Sequence, residues 1–154
     1  MTPTMHRKLL PLALMYAGDG EPIEGRTRLQ KLVFLMQKRL EEAGEDPLQT
    51  DDYEFIPYDY GPFSKELYDD IDKTMARGMV EGREEDLGED KVKYDYEIQE
   101  DGEQWVRDQL AKEEAQRVLR LAEEIKDEYG DVYLSDLIDE VYSRYPKYAE
   151  NSIY

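Results

Sequence analysis

The strongest constraint on the fold is a helical repeat of apolar residues between Thr27 and Ala43. The repeat follows the i, i+3, i+4, i+7 spacing that places side chains on one buried face of an α-helix. Its members are Leu29, Leu32, Val33, Met36 and Leu40. At about 100° per residue, the basic residues of this segment fall on the other side of the helix. We therefore expect an outer face that carries Arg28, Lys31, Lys38 and Arg39, with Leu35 among them.

A second pattern, with a period of two, predicts a β-hairpin. Apolar or aromatic residues alternate with charged ones at Val92, Tyr94, Tyr96 and Ile98. This alternation is typical of a strand with one buried face. The partner strand is predicted at 79–83, and the connection at 84–91 is almost entirely charged.

The remaining segments are predicted to be helical, apart from one short extended stretch. Apolar spacing predicts helices over 4–16, 63–76, 101–129 and 134–145. Pro11 lies inside the first, so that helix either begins near Pro11 or is kinked there. The polar stretch 112–116 leaves two shorter helices as an alternative to the long one. An extended stretch at 53–58 ends at Gly61-Pro62, where glycine permits a sharp reversal and proline presets the first turn of the next helix.

This order of elements predicts a mainly α-helical chain with a small β-hairpin, in a winged-helix-like arrangement with appended C-terminal helices. We expect one domain over 1–154, with a core at about 4–100 and a helical extension at about 101–154. An apolar stripe on the appended helices needs cover, so a homodimer through these helices is a further hypothesis.

The charge of the chain is strongly negative and unevenly distributed. The chain has 38 acidic and 20 basic residues, a net charge of −18. Residues 1–43 carry seven basic and five acidic groups, whereas 44–154 carry 13 and 33. The stretch 26–39 holds five basic residues and no acidic one. Two explanations of the acidity stay open, a halophilic source with a salt-rich cytoplasm or an acidic protein that binds basic partners, and both concern solubility and association rather than fold.

Composition and motifs weigh against several functional classes. The chain has no Cys, which removes disulfides and thiolate chemistry. No apolar run approaches the roughly 20 residues of a membrane span, and no signal-peptide pattern occurs, so we expect a soluble, cytoplasmic protein without membrane association. The single histidine, His6, has no metal-ligand neighbour at helical spacing, and no phosphate-loop, dinucleotide-binding or hydrolase motif is present. We expect no enzymatic activity, no catalytic or metal-binding residue and no cofactor.

Several motifs are similar to those of known families. The motifs are Arg28-Leu29-Gln30-Lys31-Leu32-Val33-Phe34, Tyr58-Asp59-Tyr60-Gly61-Pro62-Phe63-Ser64 with Leu67-Tyr68, and Gly78-Met79-Val80. They resemble the YwgA-like proteins of bacteria and archaea. More distantly, they resemble the Panacea, or SocA-like, antitoxin domain, whose members neutralise toxins by protein contact. The resemblance implies a binding function and carries over no catalytic residue.

One functional hypothesis is a DNA-binding transcriptional regulator of winged-helix type. In that fold the third helix, here 63–76, enters the major groove, and contact with phosphates requires basic side chains. The residues assigned to this interface are Arg26, Arg28, Lys31, Lys38, Arg39, Lys65, Lys73 and Arg77. For the cations of the second helix, internal pairing with the acidic remainder of the chain is the other explanation. Acidic residues on the third helix weigh against duplex contact, and they are Glu66, Asp69, Asp70 and Asp72.

The alternative is a protein–protein interaction module of antitoxin type, with a toxin as its partner. Its candidate contact residues are the tyrosines around the extended stretch and the third helix, Tyr58, Tyr60 and Tyr68. Tyrosine supplies contact area at low entropic cost. Core packing is the other explanation of these tyrosines, because aromatic residues suit half-buried strands. The sequence leaves DNA and protein open as partners.

Overall fold

The structure is a computed structural model that describes residues 6–45, 52–89 and 91–153. Within these ranges the chain is mainly α-helical with small antiparallel sheets, as predicted. The helices are α1 Leu9–Tyr16, α2 Arg26–Glu42, α3 Lys65–Ala76, α4 Glu100–Gln109, α5 Glu113–Tyr129 and α6 Leu134–Arg144, followed by a 3-10 turn at Pro146–Ala149. The strands are β1 Ile23–Glu24, β2 Ile56–Tyr58, β3 Gly61–Phe63, β4 Val80–Gly88 and β5 Lys91–Ile98.

The larger sheet has three antiparallel strands in the order β1–β5–β4. The predicted hairpin is confirmed, although β4 continues to Gly88 instead of ending at Arg83, because it stays paired with β5 through the charged stretch. Tyr96 and Ile98 are buried, as the alternation predicts, while the side chain of Val92 lies outside the described residues. The sequence pattern does not predict β1, since two residues are too few to show a period.

The smaller sheet is the β2–β3 hairpin, which gives Gly61-Pro62 a different role. Tyr58 pairs with Gly61 across a tight turn, and the φ of 105° at Gly61 favours glycine. The expectation that Pro62 opens the next helix is wrong, because Pro62 lies in β3 and α3 begins only after Ser64. Ser64 caps α3 instead, since its side chain accepts a hydrogen bond from the backbone N–H of Leu67.

Helix α1 begins at Leu9, so Pro11 lies in the first turn, where a missing backbone N–H costs no helical hydrogen bond. The predicted start of this helix at Thr4 lies outside the described residues. Nearly every residue of α1 is buried, and the helix packs against α2, α4, α5 and β5. Together, α1 and α2 form the centre of the core.

The C-terminal region forms two helices, α4 and α5, at the place where one long helix was the first expectation. Both pack on α1, and α5 and α6 also pack on α2. Their apolar residues, including Val118, Ile125 and Leu137, belong to the same core as α1 and α2. The apolar stripe is therefore covered within the chain, which removes the structural argument for a homodimer. The homodimer itself stays a prediction.

Candidate functional site

The prediction of a basic outer face on α2 is wrong for Arg28 and Lys31, because other elements cover the helix at these positions. Arg28 is 9% exposed and Lys31 is 2% exposed, and Leu35 is also buried. The cover comes from α1, α5, α6, β1, β3 and β5, which surround α2. Periodicity identifies the apolar face correctly but does not show that the opposite face is covered, since the hydrocarbon stems of Arg and Lys can pack in a core.

Two buried cations on the α1 and α5 side bind backbone carbonyls at the ends of helices and, at Glu21, in the loop that follows α1. Arg28 donates from Nη1 to the carbonyl oxygen of Tyr129, the last residue of α5, at 3.2 Å. Lys126 donates from Nζ to the carbonyl oxygens of Ala17 and Glu21, at 2.8 and 2.9 Å, just beyond the end of α1. The last carbonyls of a helix lack helical partners and carry partial negative charge, so both cations stabilise the fold.

The cations near the end of α2 are partly exposed and form ion pairs. Arg39 Nη2 lies 2.9 Å from Glu128 Oε2, and Lys38 Nζ lies 3.5 Å from Glu41 Oε2. Both cations are therefore paired within the chain, which is the explanation that the sequence leaves open beside partner binding.

Two glutamines on α2 hold the segment that contains the β2–β3 hairpin. Gln37 donates from Nε2 to the carbonyl oxygen of Tyr53 and accepts the Tyr53 N–H at Oε1, at 2.9 and 2.7 Å. Gln30 makes the same pair of bonds with the backbone of Ser64, at 3.0 and 2.9 Å. One side-chain amide can do both because it carries donors and an acceptor. These bonds fix the segment 53–64 near both of its ends, against the stretch of α2 that carries Lys31.

A pocket of about 210 Å³ opens between α2, the β2–β3 hairpin and α3. Aromatic side chains form much of its wall, and these are Tyr58, Tyr60, Phe63 and Tyr68. The ring of Phe63 packs against Tyr58 and Tyr68, with centroid distances of 5.1 and 6.3 Å. The charged residues of the lining are Arg26, Lys31 and Asp59.

Lys31 ends in this pocket beside the hairpin. A Cβ built on Gly61 would stand 3.5 Å from Cε and 3.7 Å from Nζ of Lys31. Among the described residues, no carboxylate lies within ion-pair distance of this ammonium group, and no atom accepts a hydrogen bond from it. Burial lowers the pKa of Lys31 to about 7. Lys31 thus differs from Arg28 and Lys126, which have internal acceptors.

Arg26 is the second cation of the pocket. Its guanidinium lies between the rings of Tyr68 and Tyr94, at 4.3 and 4.1 Å from their centroids. Its Nε donates to the hydroxyl oxygen of Tyr96 at 2.7 Å, and burial raises the pKa of Tyr96 to about 12, so that phenol stays neutral. In the described part of the chain, Nη1 and Nη2 of Arg26 have no acceptor, and they remain available to a ligand.

The structure brings five of the predicted site residues together at the pocket, and these are Arg26, Lys31, Tyr58, Tyr60 and Tyr68. Three others are exposed and are not among the residues that line the pocket as described: Lys65 and Lys73 on α3, and Arg77 directly after it.

The acidic surface predicted for α3 is also partly wrong. Asp70 is buried, and its Oδ2 accepts hydrogen bonds from Arg7 Nε and Tyr53 Oη, at 3.0 and 2.8 Å. This carboxylate therefore anchors α3 to the rest of the chain, while Asp69 and Asp72 remain exposed.

Sequence reasoning missed the glutamines and two lining residues, Asp59 and Phe63. Gln30 and Gln37 lie seven positions apart, so they share one face of α2, and that spacing is a signal the sequence contained. Asp59 and Phe63 flank the Tyr-Gly-Pro motif, but only the fold shows that they meet α2.

The fold and pocket define a mainly helical protein with small antiparallel sheets whose candidate site is an aromatic pocket containing two cations. A family model matches residues 29–153, and the chain belongs to that family, described as antitoxin SocA-like, Panacea domain. This confirms the more distant of the two resemblances, while the YwgA-like one stays a prediction. No curated protein matches the chain.

Within residues 6–45, 52–89 and 91–153, no helix combines the length and apolarity that crossing a bilayer requires. No three His, Cys, Asp or Glu side chains there come together as a group able to hold a metal ion.

Proposed function

We propose that this chain is a non-enzymatic protein-binding module of antitoxin type and that its partner is a protein toxin. The observation that carries the proposal is the family match, which includes most of α2, the β2–β3 hairpin and all later elements. The lining of the pocket supports a binding role, because it combines four aromatic side chains with two cations.

The contact surface in this proposal is the hairpin face, which we define as Ile56, Tyr58, Tyr60 and Ile153. Their exposures of 48, 49, 44 and 69% are high for large apolar or aromatic residues. Ile153 joins the hairpin because its backbone N–H donates to the carbonyl oxygen of Asp59 at 2.9 Å. Protein interfaces are enriched in such aromatic anchors, and clustered exposed apolar residues mark interaction sites.

The same observations give no support to a DNA-binding regulator. That hypothesis required cations on the outside of α2, and Arg28 and Lys31 are buried. The tip of the β4–β5 hairpin exposes Glu84, Glu85 and Asp86, which would repel phosphates. The net charge of −18 adds to this repulsion.

We also propose a winged-helix scaffold for this binding role. Support comes from the succession of α1, β1, α2, α3 and the β4–β5 hairpin, and from the strand order β1–β5–β4. The β2–β3 hairpin is inserted between α2 and α3 of that scaffold, and it carries most of the hairpin face. A winged-helix frame then serves protein binding, because fold does not fix function.

The test is co-expression with the toxin encoded beside this protein's own gene. We expect rescue of growth and stoichiometric co-purification. Tyr58→Ala combined with Tyr60→Ala should weaken binding about 30-fold or more, since truncation of an aromatic anchor typically costs about 2 kcal/mol or more.

Tyr133→Ala is the matched control. Tyr133 is 80% exposed and lies directly before α6. The other end of α6 is the one near the hairpin, because Tyr142 approaches Gly61 there. The control should bind as the unchanged protein does. Normal binding by the double variant would exclude the hairpin face, and a neighbouring toxin that never binds the unchanged chain would contradict the proposed function.

A further inference from the structure

The pocket beside the hairpin face contains a buried lysine side chain for which the described residues provide no counter-ion. Lys31 is 2% exposed, and the described residues offer its ammonium group neither a carboxylate nor a hydrogen-bond acceptor. A buried charge is costly unless it is paired. Binding of an anionic ligand beside Lys31 would remove that cost, so the pocket favours a negatively charged ligand.

We infer that the pocket receives one carboxylate side chain, glutamate or aspartate, of the protein partner, with Lys31 as its counter-ion and Arg26 as a second donor. This inference rests on the proposed binding function and specifies its chemistry. Arg26 suits the role because Tyr68 and Tyr94 hold its guanidinium from both sides and its Nε is already bound to Tyr96. Its remaining donors can then bind a carboxylate without much loss of side-chain freedom.

The shape and lining of the pocket favour a side chain with a single negative charge. Its volume of about 210 Å³ exceeds the roughly 150 Å³ of a cavity that holds benzene, so one side chain fits. Tyr58 and Phe63 offer apolar contact to the methylene groups of an acidic residue. Asp59 also lines the pocket, and its charge disfavours a phosphate dianion more than a carboxylate.

The charge of the whole chain indicates which surface carries that carboxylate. At −18, the chain attracts proteins with a basic surface. The inferred partner therefore presents one acidic anchor within a basic surface. Such an anchor gives specificity, because a basic surface without it would leave Lys31 buried and unpaired.

The first experiment titrates the full chain with phenylacetate, which joins an aromatic ring to one carboxylate, and follows backbone amide signals by NMR. We expect saturable shifts at Lys31, Gly61 and Phe63 with a Kd on the order of 1 mM. Phenylacetamide, the neutral analogue, should bind at least about tenfold more weakly. Phenyl phosphate should not bind more tightly than phenylacetate.

Two variants, Lys31→Met and Lys31→Gln, should lose the preference for phenylacetate over phenylacetamide. Lys112→Met removes an exposed lysine before α5 and should retain it. Equal binding of the two analogues by the unchanged chain, tighter binding of phenyl phosphate, or an undiminished preference in either Lys31 variant would overturn the carboxylate assignment.

Co-purification with the co-expressed toxin separates this inference from the proposed function. Lys31→Met should retain at least tenfold less toxin than the unchanged chain. If both retain it equally, the inference fails and the binding function stands. If the unchanged chain retains no toxin although phenylacetate binds at Lys31, the proposed partner is wrong and the carboxylate chemistry of the pocket is retained.

Discussion

Buried cations on the two sides of α2 differ in whether they have hydrogen-bond acceptors within the chain as described. On the side of α1 and α5, Arg28 and Lys126 bind carbonyl oxygens at the ends of helices. On the side of the β2–β3 hairpin, Lys31 is buried to a similar degree but faces a pocket, without an acceptor in the described residues. Arg28, Lys126 and Lys31 are thus alike in burial but differ in whether a described residue accepts a hydrogen bond from them, and our assignment of Lys31 to a ligand rests on that difference.

The comparison also indicates where stability and function reside in this chain. The α1 and α5 side consists of packed apolar side chains, with two buried cations that donate hydrogen bonds to backbone carbonyls. On the hairpin side, the side-chain amides of Gln30 and Gln37 form hydrogen bonds with the backbone of Ser64 and Tyr53. These bonds fix the position of the hairpin segment beside α2 and the pocket. Variants on the first side should lose stability, and variants at Lys31 should lose binding while stability is kept or increased.

We expect the largest change in stability for Lys126→Met, which tests whether the buried cations on the α1 and α5 side stabilise the fold. The change removes the ammonium donor from the carbonyl oxygens of Ala17 and Glu21, although Ala17 keeps a hydrogen bond from the N–H of Gly20. We expect the free energy of unfolding to fall by about 3 kcal/mol, as measured by urea denaturation. Lys112→Met, at an exposed position before α5, should change it by less than about 0.5 kcal/mol. A Lys126 variant as stable as this control would show that the carbonyl contacts contribute little.

We expect Lys31→Met to change the free energy of unfolding by less than Lys126→Met and in the opposite direction. Removal of an unpaired buried charge should raise the free energy of unfolding by roughly 2 kcal/mol at pH 7. Burial lowers the pKa of Lys31 from 10.5 to about 7, so the unfolded chain binds more protons than the folded chain between those values. The stability of the unchanged chain therefore rises with pH in that window. The difference in free energy of unfolding between Lys31→Met and the unchanged chain becomes smaller as the pH rises.

Urea denaturation of both proteins at pH 7, 8, 9 and 10 measures that narrowing. The tyrosines titrate in both proteins, so their contribution cancels in the difference. The interpretation of Lys31 as unpaired would be wrong if the difference in free energy of unfolding stayed constant with pH. It would also be wrong if Lys31→Met were less stable than the unchanged chain.

Much of the fold could be predicted because its signals are local. The predicted helix 27–43 differs from α2 by one residue at each end, and the alternation around Tyr96 identifies β5. The sequence leaves open where the first helix begins and whether one or two helices follow residue 101, and it places the start of α3 two residues early, because proline, polar stretches and caps shift helix ends. The hairpin at Gly61-Pro62 was mispredicted because the cap at Ser64 determines where α3 begins.

The candidate site could be predicted in its residues but not in its geometry. Lys31, Tyr58 and Tyr68 were all named, yet Lys31 was assigned to an outer surface. The cover on α2 comes from far along the sequence, as the bond from Arg28 to Tyr129 across 101 positions shows. No local pattern in the sequence contains such a contact, so buried and exposed lysines on one helix look alike until the fold is known.

The smallest effect is expected for the ion pair between Arg39 and Glu128, which provides the exposed reference for the comparison. Its Nη2–Oε2 distance of 2.9 Å resembles that of a strong hydrogen bond, but both side chains are partly exposed, at 27 and 48%. Solvent screens such a pair, so a double-mutant cycle with Arg39→Gln and Glu128→Gln should give a coupling energy of about 0.5 kcal/mol. At 1 M salt, where the screening length is about 3 Å, the coupling should fall further. A coupling energy above about 2 kcal/mol that does not depend on salt would place Arg39 with Lys126 among the structural cations.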